Sequence, residues 1–174
     1  GKLNDIKIGS VTHEALLYTK FGSDVEFLKP LSQELCRRAV NDKEYEGLLN
    51  DCYNFYFGIR SKLLQSKIQE QIQLSSGEKS KSSVELIQRN LSFFTAVYKD
   101  EYELFYKSFT SNNKNSFNFW LQQISEPLYD LLRNNILHEQ SINALCESVT
   151  LLEKYYEYEE QEESMYESQT APDN

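Results

Sequence analysis

Two histidines, three cysteines and a scatter of carboxylates are the side chains of this sequence best suited to chemistry. His13 and His138 are each followed by a glutamate, Glu14 and Glu139. A zinc protease needs a second His four residues after the first, so that both imidazoles share one helix face. Leu17 and Ile142 stand in those places. A di-iron bundle needs Glu three residues before His, and Ser10 and Asn135 stand there instead. Both histidines read as ordinary surface or interhelical residues.

Cys36, Cys52 and Cys146 are an odd number without the paired short spacing of a zinc or disulfide framework. Cys52 and Cys146 fall on apolar stripes and read as small core hydrophobes, which suits a reducing compartment such as the cytosol. The competing reading is a small helical metal or thiol enzyme built from Cys52, Cys146, His138 and nearby carboxylates. Asp100-Glu101 is a conceivable acid/base pair. The simpler reading is a helix with alternating charges on its wet side. Six scattered glycines form no phosphate-cradling loop. Catalytic, cofactor and metal residues are therefore expected to be absent. Tyr155, Tyr156 and Tyr158 are the candidate partner-binding residues, since Tyr is enriched at interfaces. They read equally as the last turn of a core followed by a solvated acidic end.

The elements that would carry these residues are helical. Residues 84 to 109 are the most regular stretch. Val84, Ile87, Leu91, Phe94, Tyr98, Tyr102, Phe105 and Phe109 recur at gaps of three or four and draw one stripe on a helix. Lys99, Asp100, Glu101 and Lys107 fall between stripe positions and are expected to face water. A helix of roughly 40 Å cannot cover its own stripe and needs long helical neighbours.

The rest of the chain supplies them. Ser10 or Thr12 caps a short helix through Phe21, ended by Gly22. The next runs from Ser23 or Asp24 to about Val40, with Val25, Leu28, Leu31 and Leu35 inward. Pro30 either kinks it or marks a start near Lys29. Asn41 or Asp42 caps a helix over 42 to 74, with Tyr45, Leu48, Cys52, Phe55, Ile59 and Leu63 inward, continued by Leu64, Ile68 and Ile72. Gly58 sits mid-pattern, where a neighbour crosses closely or the helix bends.

A Ser/Lys linker spans 75 to 83, with Ser83 as the following cap, and a polar break spans 111 to 116. A helix over 116 to 133 carries Phe117, Leu121, Ile124, Leu128 and Leu131. Pro127 kinks it, or Ser125 caps a fresh one. The next break lies in 134 to 141. Ser141 caps the last helix, with Ile142, Leu145, Val149, Leu152 and Tyr156 inward.

The domain reading is a flexible segment 1–10, a helical bundle 11–163 and an acidic disordered tail 164–174. The fold expected is all-α: an elongated antiparallel bundle of five to six long helices. A chain of 174 residues with 12 Tyr, 10 Phe, 1 Trp, 6 Gly and 3 Pro can bury roughly 70% of its extended surface without staples. The net charge of −9 with scattered Lys and Arg argues against nucleic acid and anionic membrane surfaces as partners. No run reaches the length of a membrane span, so no direct membrane insertion is expected. The opening GKLND lacks Met and suggests an excised piece.

Three blocks carry a wider pattern. They are EYEGLLNDCYNFYFGIRSKLLQSKIQEQI at 44–72, VYKDEYELFYKSF at 97–109, and ISEPLYDLLRNNILHEQSINALCESVTLLEKY at 124–155. Together they resemble the subunit-three (Sec-thirty-four-like) family of the conserved oligomeric Golgi complex. Tyr45, Leu48, Leu49, Asp51, Cys52, Tyr56, Arg60, Leu63, Asp100, Glu101, Leu104, Phe105, Leu128, Tyr129, Asp130, Arg133, His138, Glu139, Leu145, Cys146 and Glu147 stand at matching places. Asn134-Asn135 depart from it. The Asn- and Ser-rich loops look fungal.

The resemblance implies a CATCHR-like tethering rod and an N-terminal-half fragment of a longer, non-enzymatic subunit. It also implies a peripheral place on the cytosolic face of the Golgi membrane, in intra-Golgi retrograde vesicle transport. Sibling subunits would be its partners, with SNAREs, Rab GTPases and coiled-coil tethers beyond them. A helical adaptor or scaffold domain of another pathway is the alternative.

Overall fold

The computed structural model describes residues 16–77, 82–110 and 113–170. The expectations for residues 1–10, for the Ser10 or Thr12 cap and for His13 lie outside the described residues, as do 171–174. A π-helical turn, Leu16–Lys20, leads into six α-helices: α1 Phe21–Val25, α2 Leu28–Ala39, α3 Lys43–Gly77, α4 Ser83–Ser108, α5 Lys114–His138 and α6 Ile142–Thr170. No strand occurs among the described residues, so the fold is the all-α bundle expected. The described residues divide into two compact units, one of 16–65 with 97–110 and 113–121, and one of 66–77 with 82–96 and 122–170. Helices α3, α4 and α5 each contribute one length to each unit.

The first unit is built on aromatic rings. Tyr53 meets Phe109 at 4.7 Å and Phe57 stacks on Phe105 at 5.6 Å, so α3 and α4 run antiparallel here. Phe57 also stacks on Trp120 at 5.0 Å, and the Trp120 indole N–H donates to Ser61 Oγ at 2.8 Å. Phe117 is fully buried against Phe105, Tyr102 and Tyr98.

The stripe expected on α3 through Leu48, Cys52 and Phe55 is not the buried one. Leu48 is 50% exposed and Phe55 73%. The buried line runs one position round, through Tyr53, Tyr56, Phe57, Arg60 and Leu64. Two apolar lines compete on this helix, and the one with three large rings removes more apolar area from water, so it turns inward.

Gly22 does not end a helix. It lies inside α1, buried, where a Cβ would sit 3.4 Å from Leu104 Cδ1, so it brings α1 close to α4. Leu31 is largely exposed, and Ser32 takes the buried place with its hydroxyl on the Lys29 carbonyl at 2.9 Å. Pro30 sits in the first turn of α2, where its missing N–H has no intrahelical acceptor to serve.

No neighbour crosses closely at Gly58, since nothing lies within 4 Å of the place a Cβ would occupy. Gly58→Ala should therefore stabilise the protein by about 0.5–1 kcal/mol, read as a raised urea midpoint with unchanged slope. A lowered midpoint would mean that the position is not open.

In the second unit, Asn90 is fully buried on α4. Its Oδ1 accepts from Gln71 Nε2 and Ser75 Oγ, both at 3.1 Å, and its Nδ2 donates to the Leu86 carbonyl at 2.8 Å. Three of the amide's four hydrogen-bonding positions are used, two of them by α3, which fixes the register of α3 on α4. Ser75 is thus helical and buried, and α3 runs through Gly77 into the expected linker 75–83.

The cap of α4 is Ser82, not Ser83. Ser82 Oγ accepts from the Glu85 N–H at 3.3 Å, as in a Ser-x-x-Glu start. Ser83 Oγ instead donates to the Glu139 carboxylate, and that bond is the main cause holding the Glu139 pKa below the usual carboxylate value.

Helix α5 runs unbroken through Pro127 and past Asn134-Asn135 to His138. Pro127 cannot donate to the Gln123 carbonyl, and both residues are exposed, so the lost bond does not fall in the core. Asn135 Nδ2 donates to the Leu131 carbonyl at 2.8 Å and lets the helix continue. Ser141 caps α6 as expected, accepting from the Ala144 N–H at 3.3 Å. Helix α6 continues past residue 163 to Thr170, because its Glu/Gln-rich run consists of good helix formers.

Candidate interaction surface

Among the described residues, charged groups converge out of water in the first unit. Arg60 on α3 and Glu101 on α4 are both fully buried. Glu101 was expected in water, between stripe positions. Instead it occupies the inner side of α4, with Nη2–Oε1 at 2.5 Å and Nε–Oε2 at 2.9 Å making a two-pronged bond from Arg60.

The third donor, Arg60 Nη1, reaches the Leu17 carbonyl in the π-helical turn at 3.0 Å. The guanidinium lies over the rings of Phe21 at 4.7 Å and Tyr18 at 5.2 Å. Arg60 therefore fastens the chain preceding α1 to two long helices.

The electrostatics of this cluster favour holding over proton transfer. Burial is the largest single effect and works against the Arg60 charge, but the Glu101 hydrogen bond and charge, with smaller contributions from Tyr56 and Tyr18, together outweigh it and raise the guanidinium's pKa. Burial, then the Glu101 charge, pushes the Tyr18 and Tyr56 phenols far above their ordinary value. Burial pushes Tyr53 up to about 12.

A phenol with a raised folded pKa stabilises the fold fully below its unfolded value near 10. That stabilisation is lost as pH rises through the folded value. An alkaline titration followed by phenolate absorbance reads this directly. Tyr18, Tyr53 and Tyr56 should ionise only with unfolding, above pH 11. Ionisation of all tyrosines in one step near pH 10, with the fold intact, would contradict this burial.

Nothing else among the described residues assembles for chemistry. No three His, Cys, Asp or Glu side chains come together as a metal site needs. His138 is exposed, with Nδ1 on the Asn134 carbonyl at 2.8 Å. Cys146, expected in the core, is exposed, because the inner side of α6 is defined by Ser148 and Tyr155 instead. Cys52 is half-buried, and burial raises its thiol pKa. No described helix is long and apolar enough to cross a membrane.

What the second unit does present is apolar surface on α6. Tyr155 faces inward, its ring 6.1 Å from Phe94. Ser148 is buried, and Leu145 and Leu152 are half-buried. Ile142, Val149 and Tyr156, expected inside, are 76%, 53% and 63% exposed. The three candidate tyrosines are thus parted: Tyr155 belongs to the packed side, while Tyr156 and Tyr158 reach solvent. Sequence periodicity finds this apolar line but cannot tell a covered line from an open one.

By its fold the chain is an all-helical bundle protein, with the Arg60–Glu101 pair buried within it and apolar residues exposed on α6. The family comparison names the kind. The family described as conserved oligomeric Golgi complex subunit 3, C-terminal, matches residues 14–172, and this chain belongs to that family. The matched description is of the C-terminal region, not of the N-terminal half implied above.

Conserved oligomeric Golgi complex subunit 3 of Saccharomyces cerevisiae is 36% identical over 160 residues, which is 87% of this chain and 20% of the relative. The subunit of that name from Schizosaccharomyces pombe is 26% identical over 82% of this chain and 19% of its own length. The Mus musculus one is 25% identical over 75% and 16%. The chain spans about a fifth of the length of these curated relatives. No solved structure matches it.

Proposed function

We propose that this chain is a non-enzymatic segment of a subunit of the Golgi tethering complex, working by helix-to-helix binding. The family membership carries the reading. The structure supports it with an all-helical fold, internal charges engaged in holding helices, and apolar residues displayed on α6. The mechanism is burial of exposed apolar helix faces against partner helices, with a polar rim setting partner choice. Tyr156 and Tyr158 are the candidate contact residues of the tyrosine cluster. Tyr155 supports them from the packed side.

The partners proposed are the sibling subunits, then SNAREs, Rab GTPases and coiled-coil tethers. The place proposed is the cytosolic face of the Golgi, as a peripheral component in intra-Golgi retrograde vesicle transport. The test is affinity purification of the tagged full-length protein from cells, followed by mass spectrometry. Sibling subunits at near-stoichiometric yield are expected. A folded, soluble protein that brings down none of them would end the proposal.

A further inference from the structure

Along α6, Ile142, Val149 and Tyr156 follow one another at seven-residue intervals. Leu145 and Leu152 stand three residues after the first two. This alternation of three and four is the a/d pattern of a two-stranded coiled-coil seam. On α6 the d residues are half-buried and the a residues largely exposed, so the fold covers one side of the seam and leaves the other open. Ser148 and the Tyr155–Phe94 contact fix the helix in that rotation. The open side is therefore not waiting to turn inward.

The residues four places after each a position are Cys146, Glu153 and Glu160, all exposed, and Glu157 lies four after Glu153. Lys154 stands three residues before Glu157, at the outer edge of this row. The open seam is thus edged by three carboxylates against one cation and is acidic on balance. A second copy of this chain would bring like charges together, and an anionic surface would be repelled in the same way. An occupant with lysine or arginine at the positions flanking its own apolar seam complements the row.

We propose that this open side of α6 is the docking surface for a basic amphipathic helix of a partner subunit. The inference rests on the tethering-subunit reading and names the chemistry of the partner. It makes the Ile142–Val149–Tyr156 line the anchor and Glu153, Glu157 and Glu160 the selector of charge.

The test uses the full-length tagged protein in cells, with the photo-crosslinking amino acid benzoylphenylalanine placed at Cys146, beside the seam. The expected result is a crosslink to a heptad-patterned segment of another subunit, with Lys or Arg flanking its apolar positions. Val149→Glu with Tyr156→Glu should lower that crosslink roughly tenfold or more. Phe119→Glu, exposed on α5, should leave it unchanged. Because all three positions are exposed, circular dichroism should report the same fold for each variant.

A crosslink within the chain, to a second copy, or to an acidic segment would overturn the proposal, as would a crosslink indifferent to the paired glutamates. If the crosslink fails while sibling subunits still co-purify, the docking surface is wrong and the complex membership stands. If wild-type protein recovers no sibling, the membership itself fails.

Discussion

Glu101→Gln should destabilise the protein by about 3–5 kcal/mol, the cost of leaving one partner of a buried ion pair without its counter-charge. Arg60 would keep its place, its bond to the Leu17 carbonyl and its two ring neighbours. None of those carries the charge that compensates a guanidinium removed from water. The urea midpoint should fall with little change in slope.

Arg60→Met combined with Glu101→Leu should recover most of the loss, since replacing both members of a buried pair by apolar groups is often neutral or better. The pair then shows a coupling energy far larger than the roughly 0–1 kcal/mol of exposed pairs, such as Arg133–Asp130, which is more than half exposed on both sides. A single variant within 1 kcal/mol of wild type would show that water reaches this pair.

Phe117→Ala should cost about 3–5 kcal/mol, as large-to-small changes in a closed core do. The ring is surrounded by Phe105 at 5.2 Å, Tyr102 at 5.5 Å and Tyr98 and Trp120 at 5.8 Å, so few of its neighbours are free to collapse into the space. Phe119, two residues on in the same helix, is 63% exposed. Phe119→Ala should fall within about 0.5 kcal/mol of wild type, as surface changes usually do. Equal costs at the two positions would mean that α5 is rotated from the orientation described.

These two sites mark where sequence reasoning succeeds and where it stops. Phe117, Leu121 and Leu128 were legible as core because apolar residues recur on one side of α5 with no rival line. The stripe on α4 was legible for the same reason. On α3 two lines of similar hydrophobicity lie about one residue apart, and only packing decides that Tyr53 and Phe57 turn in while Phe55 turns out.

Glu101 and Arg60 were hidden for a different reason. A charged residue between stripe positions is normally solvated, and the exception depends on a partner 41 residues away in sequence. The tracing of tyrosine as apolar along Tyr53, Phe57, Arg60 and Leu64 would have placed Arg60 on the buried line. The α6 seam was legible as a pattern of Ile142, Leu145, Val149, Leu152 and Tyr156. Whether the chain covers that pattern itself or leaves it for another protein is a property of the fold, absent from any local signal.

The central claim is that this stretch of helices serves its subunit by gripping other subunits. The most direct measurement is quantitative mass spectrometry of the complex recovered on tagged full-length protein, with residues 43–170 present or deleted. Loss of at least one sibling subunit on deletion, with the rest of the protein still soluble and expressed, is the predicted result. Recovery of every sibling at wild-type yield without these residues would contradict it.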